Sequence, residues 1–273
     1  MSVMDMYDLK GKIIIVTGGL GLLGRQYVSS LIEVGARVAI FDLLTSREDI
    51  LYELFPTTPK TSLIAENVDI TKVDSWEKGI QKVIQTWGIP KGLINNAALD
   101  SPPNAPIEET GPLETYPITS WEKVMDTNLK GSFLGCQLVG REMLKAGEGS
   151  IINISSIYGN VSPDQNIYEY RRKKGEIFYK PIAYSVSKSG ILNMTRYLAV
   201  YWAKKNIRVN TLTLSGVYNN QSPEFVESYT QRIPIGRMAK ENEFNAAIVF
   251  LLSKASSYMT GSNLIIDGGW LSI

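Results

Sequence analysis

The chain has 273 residues, 44% apolar and 20% charged, which is ordinary for a soluble globular protein with one substantial α/β domain or two small ones. Its 28 basic and 27 acidic residues nearly cancel, so we expect neither a nucleic-acid nor a membrane partner. The single cysteine, Cys136, excludes an internal disulfide and favours a reducing cytoplasm. Histidine is absent, which excludes Ser-His-Asp triads and histidine metal sites, so proton transfer near neutral pH needs tyrosine, lysine or a carboxylate.

Short apolar runs alternate with helical patterns along the chain. Strands are predicted at 12–17, 36–42, 62–69, 92–97, 150–155, 208–214 and 263–269, and helices at 25–36, 72–87, 119–146, 182–205 and 241–253. Because the strands are apolar throughout, the pattern predicts an α/β fold: a doubly wound parallel sheet (Rossmann fold) with helices on both faces. The ligand site of such a sheet lies at the carboxyl ends of its strands.

No linker or shift in composition divides the chain, so a single domain over residues 1–273 is predicted. Neither a secretion signal nor an apolar run of membrane-spanning length is expected, and no metal-ligand cluster is visible. Two irregular stretches stand out: 98–118 is rich in proline, and 157–181 is rich in tyrosine and basic residues. Both follow strands, and we expect both to overhang the ligand end of the sheet.

A glycine-rich turn, TGGLGLLG (17–24), lies between the first predicted strand and the first helix. Its G-x-G-x-x-G spacing suits a tight turn that brings the backbone close to a pyrophosphate at a helix N-terminus. Asp42 ends the second strand, where its carboxylate would accept hydrogen bonds from ribose hydroxyls and repel a 2′-phosphate. The pattern therefore predicts NAD in preference to NADP, although Arg25 or Arg47 leaves NADP open.

A candidate proton-transfer pair, tyrosine four positions before lysine, occurs three times, at Tyr170, Tyr184 and Tyr201. Small residues and an apolar helix follow Tyr184, whereas four adjacent cations follow Tyr170 and would repel one another in a buried site. Tyr201 lies far along its helix, where a substrate at the sheet edge is out of reach. Context favours Tyr184, whose pKa a neighbouring ammonium and a positive nicotinamide ring would lower from about 10.

Five further motifs follow the glycine turn in chain order: NNAA (95–98), DTNLKG (126–131), INISS (152–156), AYSVSKSG (183–190) and TGSNLIIDGG (260–269). Together with the glycine turn, they resemble the short-chain dehydrogenase/reductase family over nearly the whole chain. The resemblance implies an NAD(P)-dependent oxidoreductase that transfers a hydride between nicotinamide and a secondary alcohol or ketone.

The resemblance also implies a role for each matched residue. Tyr184 matches the catalytic acid/base, and Lys188 matches the residue that holds the nicotinamide ribose and lowers the tyrosine pKa. Ser156 matches the hydroxyl that binds the substrate oxygen. Asn128 matches the residue that supports a water-linked proton relay. The implied cofactor contacts are Gly18, Gly21, Leu23, Gly24, Asp42, Asp69, Ile70, Asn96, Ala97, Tyr184, Lys188 and Val217.

Two features depart from the usual family pattern. The glycine spacing fits T-G-x-x-G-x-x-G, which resembles the family's longer branch with its nucleotide-sugar enzymes, and Ser215 replaces a proline, which predicts a less rigid loop near the nicotinamide. The stretch 160–181 lengthens the segment between Ser156 and Tyr184. It carries aromatic rings and five basic residues, which suits an anionic substrate group, a solvated hairpin or an oligomer contact.

The substrate remains open at this point. A sugar or nucleotide-sugar would place the chain near dehydrogenases of bacterial surface-sugar pathways; the alternatives are a generic ketoacyl or secondary-alcohol reductase and a non-catalytic NAD-binding sensor. The resemblance implies a homo-dimer or homo-tetramer through the helices at 119–146 and 182–205 and the C-terminal strand.

Overall fold

The predicted apolar runs form one sheet in the computed structural model, which describes residues 2–43, 49–100 and 107–273. All neighbouring strands are parallel, in the order β3-β2-β1-β4-β5-β6-β7, which confirms the doubly wound prediction. The order reverses between β1 and β4, where a crevice opens at the strands' carboxyl ends. The strands are β1 (Ile13–Thr17), β2 (Arg37–Asp42), β3 (Leu63–Asn67), β4 (Gly92–Asn95), β5 (Gly149–Ser156), β6 (Ile207–Leu214) and β7 (Asn263–Ile266).

Helices cover both faces of the sheet, because successive strand residues point to opposite sides and both sides are apolar. Ile14 and Val16 of β1 pack towards one helical layer, and Ile13 and Ile15 towards the other. The longer helices are α1 (Leu22–Glu33), α2 (Asp49–Leu54), α3 (Val73–Trp87), α4 (Ile118–Met125), α5 (Gly131–Ala146), α6 (Ile182–Trp202), α7 (Pro223–Thr230) and α8 (Asn245–Leu252). Helices α1 and α8 lie on the first face, and α3, α5 and α6 on the second.

Several predicted boundaries were wrong. Helix α1 begins at Leu22 rather than at residue 25, because Gly21 already serves as its N-cap. The predicted helix 119–146 is interrupted by a π-helical turn, Asp126–Lys130, between α4 and α5. Helix α7 was not predicted, although Ser222, whose hydroxyl accepts from the Phe225 N–H, followed by proline, is a helix-start signal.

The two irregular stretches contain short helices: Ile107–Thr110, Ile157–Asn160 and Glu169–Lys173. The second stretch has a core of its own, since Tyr168 and Phe178 are buried with their ring centres 4.6 Å apart. Tyr168 also packs against Phe225 of α7 at 5.9 Å, so the stretch docks on that helix. In the described part of the chain, no helix is both long and apolar enough to cross a membrane.

Candidate active site

A cavity of about 1110 Å³ opens at the carboxyl ends of the strands, where β1 and β4 part. Every residue that the sequence predicted to contact a cofactor lines it, as do Ser156, Tyr184 and Lys188. Asn128 does not line the cavity but lies buried behind it. Residues of both irregular stretches, including Asp100 and Lys180, complete its wall, as expected for segments that overhang this end of the sheet.

The glycine turn between β1 and α1 leaves space at the backbone. Gly18 has a φ of +62°, which favours glycine, and a Cβ there would lie 2.9 Å from Ala97 Cα. A Cβ on Gly24 would lie 2.0 Å from the Gly18 carbonyl oxygen. Gly21 caps α1 without a side chain, so the helix N-terminus faces the cavity with its N–H groups, an arrangement suited to a pyrophosphate.

Two polar residues hold this turn in place. The Asp42 carboxylate accepts the Leu20 N–H at 3.1 Å, which ties the turn to the end of β2. The Asn96 amide donates to the carbonyl oxygens of Thr17 and Gly18 at 3.0 and 3.1 Å. The Thr17 hydroxyl in turn accepts the N–H groups of Asn96 and Ala97, both at 3.0 Å. Both N–H groups are therefore already hydrogen-bonded within the chain and do not point to a ligand as donors.

The far end of the nucleotide wall is formed by Asp69 and Ile70 after β3. Burial acts to raise the Asp69 pKa, but hydrogen bonds from Thr71 and Lys72 outweigh it and hold that pKa below its ordinary value. The Ile70 carbonyl accepts the indole N–H of Trp76 at 2.9 Å, which fixes this corner of the cavity. Arg47, the residue that left NADP open, lies outside the described residues, and Arg25 is absent from the described cavity wall.

The reacting groups come from β5 and α6. Ser156 ends β5, and Tyr184 and Lys188 lie one turn apart at the start of α6. The Lys188 ammonium donates to the Ile154 carbonyl at 3.0 Å and lies 5.8 Å from the centre of the Tyr184 ring. Helix α6 can approach the short helix Ile157–Asn160 closely because position 159 is glycine: a Cβ there would lie 2.7 Å from the Lys188 carbonyl oxygen.

The chain alone holds the Tyr184 pKa above its ordinary value, whereas the lowered pKa that the sequence predicts includes the charge of a nicotinamide ring. Burial raises the pKa of Tyr184, the Asp100 carboxylate adds to the effect, and the Ser156 hydroxyl opposes it. Burial also lowers the pKa of Lys188 to about 8, while Asp100 acts against that change. The physical reason is that Lys188 is buried and Tyr184 partly so, and desolvation disfavours the charged form of each.

Asn128 lies in the π-helical turn and braces the site rather than touching the reacting groups. Its amide oxygen accepts the Leu99 N–H at 2.7 Å, and its amide nitrogen donates to the Leu99 carbonyl at 2.9 Å and the Ser187 hydroxyl at 3.0 Å. The Ser187 hydroxyl donates to the Tyr184 carbonyl at 2.7 Å. Asn128 thus joins the segment after β4 to the helix that carries Tyr184. The role of Ser187 was not assigned from the sequence.

The basic residues of the stretch 157–181 are largely neutralised by carboxylates. Arg171 pairs with Glu176 at 2.6 Å and stacks over Phe178, with its guanidinium carbon 4.2 Å from the ring centre. Lys174 pairs at 2.8 Å with Glu224 of α7. Arg172 and Lys180 pair with Glu169 and Asp100, respectively. The predicted repulsion between adjacent cations is therefore offset within the stretch and across to α7.

The loop after β6, where Ser215 stands in place of the usual proline, is anchored through its neighbours. The Gly216 N–H donates to the Tyr229 hydroxyl at 2.8 Å, and the Gly216 carbonyl accepts the Ala239 N–H at 3.1 Å. Val217 forms an isolated parallel bridge with Ala239. Tyr229 belongs to helix α7, which was not predicted, so this support was missed as well.

Other candidate groups carry no chemistry in the structure. Cys136 is buried, and burial raises its thiol pKa to about 12, which agrees with the expectation of a small apolar residue. Tyr201 is 67% exposed and stacks on Tyr197, far from the reacting groups. Within the described ranges, no group of three or more acidic or cysteine side chains is arranged to hold a metal ion.

Comparison with known proteins gives two family matches that meet inside the tyrosine-rich stretch. The model described as short chain dehydrogenase matches residues 12–170, and the model described as enoyl-(acyl carrier protein) reductase matches residues 170–271.

Individual relatives match over nearly their full length. An NAD-dependent glycerol dehydrogenase of Listeria innocua is 32% identical, over 97% of this chain and 95% of the relative. A ribulose-forming D-arabinitol 2-dehydrogenase of Scheffersomyces stipitis is 31% identical, over 98% of this chain and 97% of the relative. The crystal structure of a short chain dehydrogenase from Leptospira borgpetersenii with bound NAD+ is 31% identical and has a TM-score of 0.83, with 99% of this chain and 97% of that chain covered.

Proposed function

Because the chain belongs to the short-chain dehydrogenase/reductase family and is an NAD(P)-dependent oxidoreductase of CH–OH groups, we propose that its substrate is a neutral secondary alcohol of the polyol class. The proposal rests on the charge of the cavity wall. Ser156, Tyr184 and Lys188 line the cavity together with residues of the basic stretch 157–181. Because most cations of that stretch are paired with carboxylates, little net positive charge faces the substrate. The glycerol and arabinitol relatives support the same substrate class.

The chain's own residues account for the proton in this reaction. Oxidation of a secondary alcohol breaks one C–H and one O–H bond, and the bound nicotinamide supplies the acceptor for the hydride. Ser156 orients the substrate oxygen, and the Tyr184 phenolate takes the hydroxyl proton. Because burial raises the Tyr184 pKa in the chain alone, the phenolate depends on neighbouring positive charge. The Lys188 ammonium, with a pKa of about 8, is charged at neutral pH and would favour the phenolate together with the positive ring of a bound nicotinamide. Reduction of the ketone runs the same proton step in reverse.

NAD is the cofactor that the wall of the turn suits better. Asp42 lies at the end of β2 on the cavity wall, where a carboxylate accepts hydrogen bonds from two ribose hydroxyls and repels a 2′-phosphate. The space beside Gly18 and Gly24 fits a pyrophosphate against the start of α1. The bound NAD+ of the Leptospira structure supports this choice.

An apolar cyclic alcohol is the second candidate, and the aromatic side of the cavity favours it. Tyr158, Tyr168, Phe178, Phe225 and Tyr229 form much of the wall opposite the nucleotide turn. Rings of this kind pack well against a flat hydrocarbon skeleton. A sugar nucleotide, by contrast, would bring phosphates towards a stretch whose cations are already paired.

The two candidates separate in a single activity panel. Purified protein is titrated with NADH and NADPH by fluorescence, and then assayed with glycerol, D-threitol and D-arabinitol against cyclohexanol, a hydroxysteroid and a nucleotide-sugar. The proposal predicts the highest kcat/KM for an acyclic polyol with NAD+. Preference for the cyclic alcohols would support the second candidate, and turnover of the nucleotide-sugar alone would contradict both.

We also propose that the chain forms a homo-dimer or homo-tetramer through α6. Tyr197, Val200 and Tyr201 form an apolar face on this helix and are 68%, 81% and 67% exposed. Exposed aromatic clusters of this kind are typical of protein interfaces. Val200→Asp is expected to lower the mass measured by analytical ultracentrifugation, and an unchanged mass would contradict an interface on this face.

A further inference from the structure

An ion pair that the proposed mechanism does not use lies beside the catalytic tyrosine. The Lys180 ammonium pairs with the Asp100 carboxylate and lies 5.0 Å from the centre of the Tyr184 ring. The Lys180 side chain is 8% exposed, whereas that of Asp100 is 52% exposed, and both residues line the cavity. The pair therefore has a buried cation against the reacting group and an accessible anion towards the cavity.

The position of Lys180 is fixed by its backbone. Its N–H donates to the Gln165 side-chain oxygen at 2.9 Å, and its carbonyl accepts the Gln165 side-chain nitrogen at 3.2 Å. Pro181 follows directly as the N-cap of α6. The backbone of Lys180 is thus held between an amide clamp and the start of the catalytic helix, and its ammonium is directed by the pair with Asp100.

The Asp100 carboxylate lies where its negative charge disfavours the proton transfer to Tyr184, so its position calls for another role. After burial, the Asp100 carboxylate is the largest influence that raises the pKa of Tyr184, and it therefore disfavours the phenolate that accepts the substrate proton. An ion pair that served only to hold the loop could lie away from the reacting groups. Here the charges instead face the space that the substrate occupies in the proposed mechanism.

We propose that Asp100 and Lys180 form a subsite for a second substrate hydroxyl, next to the one that reacts, so that the enzyme selects vicinal diols. This inference rests on the proposed function and specifies its substrate further. A hydroxyl group donates one hydrogen bond and accepts others, so it donates to the Asp100 carboxylate and accepts from the Lys180 ammonium. An ammonium has three donors and a carboxylate about four acceptor sites, so each can take part in more than one hydrogen bond at a time.

The same chemistry argues against other groups at this position. An anionic substituent would meet the Asp100 carboxylate together with the ammonium, and the pair as a whole has no net charge to attract it. A mono-alcohol would place a methyl or methylene group against the two charges and desolvate them without a hydrogen bond in return. Hydrogen bonds to charged groups discriminate by roughly ten- to a hundredfold when one partner is removed.

The test uses two substrates that differ by one hydroxyl, 1,2-propanediol and 2-propanol, and compares the ratio of their kcat/KM values. Wild type is expected to prefer the diol. Asp100→Asn and Lys180→Met are each expected to reduce that preference by about tenfold or more, mainly through a higher KM for the diol. Arg232→Met is the matched control, because it removes a different ion pair of the same stretch, the one with Asp164, and neither residue lines the cavity, so the ratio is expected to stay unchanged.

Each outcome has a defined meaning, and NADH titration and thermal unfolding verify that the variants fold. A wild-type enzyme without diol preference, or a preference that survives both Asp100→Asn and Lys180→Met, overturns the subsite. An equal loss in Arg232→Met also overturns it, since the effect would belong to the whole stretch. These results leave the dehydrogenase function intact, whereas failure to oxidise any secondary alcohol overturns the proposed function itself.

Discussion

The two ends of the cavity differ in whether backbone or side chains form the wall. At the nucleotide end the wall is mainly backbone: Gly18 and Gly24 give space, and Asn96 fastens the turn through carbonyl oxygens. At the opposite end the wall is made of side chains from segments far apart in the chain, such as Tyr168 and Phe225, packed ring against ring. At the nucleotide end, side chains larger than hydrogen are excluded at Gly18 and Gly24. At the opposite end, the wall consists of side-chain contacts outside the sheet, so residues there can be substituted without a change in the sheet.

This difference indicates where a substitution does most damage. Removing a reacting group should abolish turnover but leave the nucleotide end intact, whereas adding a methyl group to a glycine should damage the nucleotide end and leave the chemistry in place. The following predictions run from the largest expected effect to the smallest.

Tyr184→Phe separates the two ends most sharply. It removes the hydroxyl that accepts the substrate proton, so kcat is expected to fall about a hundred- to ten-thousandfold while NADH affinity changes little. Tyr201→Phe is the matched control, because Tyr201 also precedes a lysine by four residues but is exposed on α6. Equal activity of the Tyr184→Phe variant and wild type would favour a non-catalytic NAD-binding protein.

The lowered pKa of Lys188 predicts a pH dependence of the free energy of unfolding. The unfolded chain holds this proton up to about pH 10.5, whereas the folded chain releases it near pH 8. The unfolded state therefore binds more protons in this window, and the contribution of Lys188 to the free energy of unfolding rises with pH by on the order of 3 kcal/mol. Urea unfolding of wild type and Lys188→Met from pH 7 to pH 10 measures the difference. Parallel pH profiles would contradict the lowered pKa.

Gly24→Ala tests the backbone end of the comparison. The added Cβ would lie 2.0 Å from the Gly18 carbonyl oxygen, so the turn must shift at a cost of about 1–3 kcal/mol. A lower melting temperature and weaker NADH binding are expected. Gly21→Ala is the control, since its Cβ would lie 3.3 Å from the same oxygen at an ordinary φ of −73°. A larger loss of stability in Gly21→Ala than in Gly24→Ala would contradict the steric account.

Asp42→Asn is expected to have the smallest effect. The amide oxygen can still accept the Leu20 N–H, but the repulsion of a 2′-phosphate disappears. The preference for NADH over NADPH should fall about five- to tenfold, because charge pairs near a surface contribute about 1 kcal/mol. Asp74→Asn, on the exposed face of α3, should leave the preference unchanged. A wild-type enzyme that prefers NADPH would contradict the assignment of Asp42.

The same contrast explains what could be predicted from the sequence. The glycine turn, Asp42 and the Tyr184–Lys188 pair occupy single local motifs, and local motifs carry their geometry with them. Asp100, Lys180 and Tyr229 belong to no motif. Their positions depend on how the stretches after β4 and β5 pack on one another and how the second docks on α7. The contribution of burial to the Tyr184 pKa was missed for a related reason: burial is set by tertiary packing, which residue spacing does not reveal.

The Gln165 clamp has a consequence for the local stability of its loop. Its two hydrogen bonds to Lys180 close the loop 165–180, whose rings pack on one another and on α7 rather than on the sheet. Segments of this kind can open locally at a free energy below that of unfolding the whole chain. We therefore expect hydrogen exchange in this loop to be faster than in the strands that hold Ser156 and the nucleotide wall.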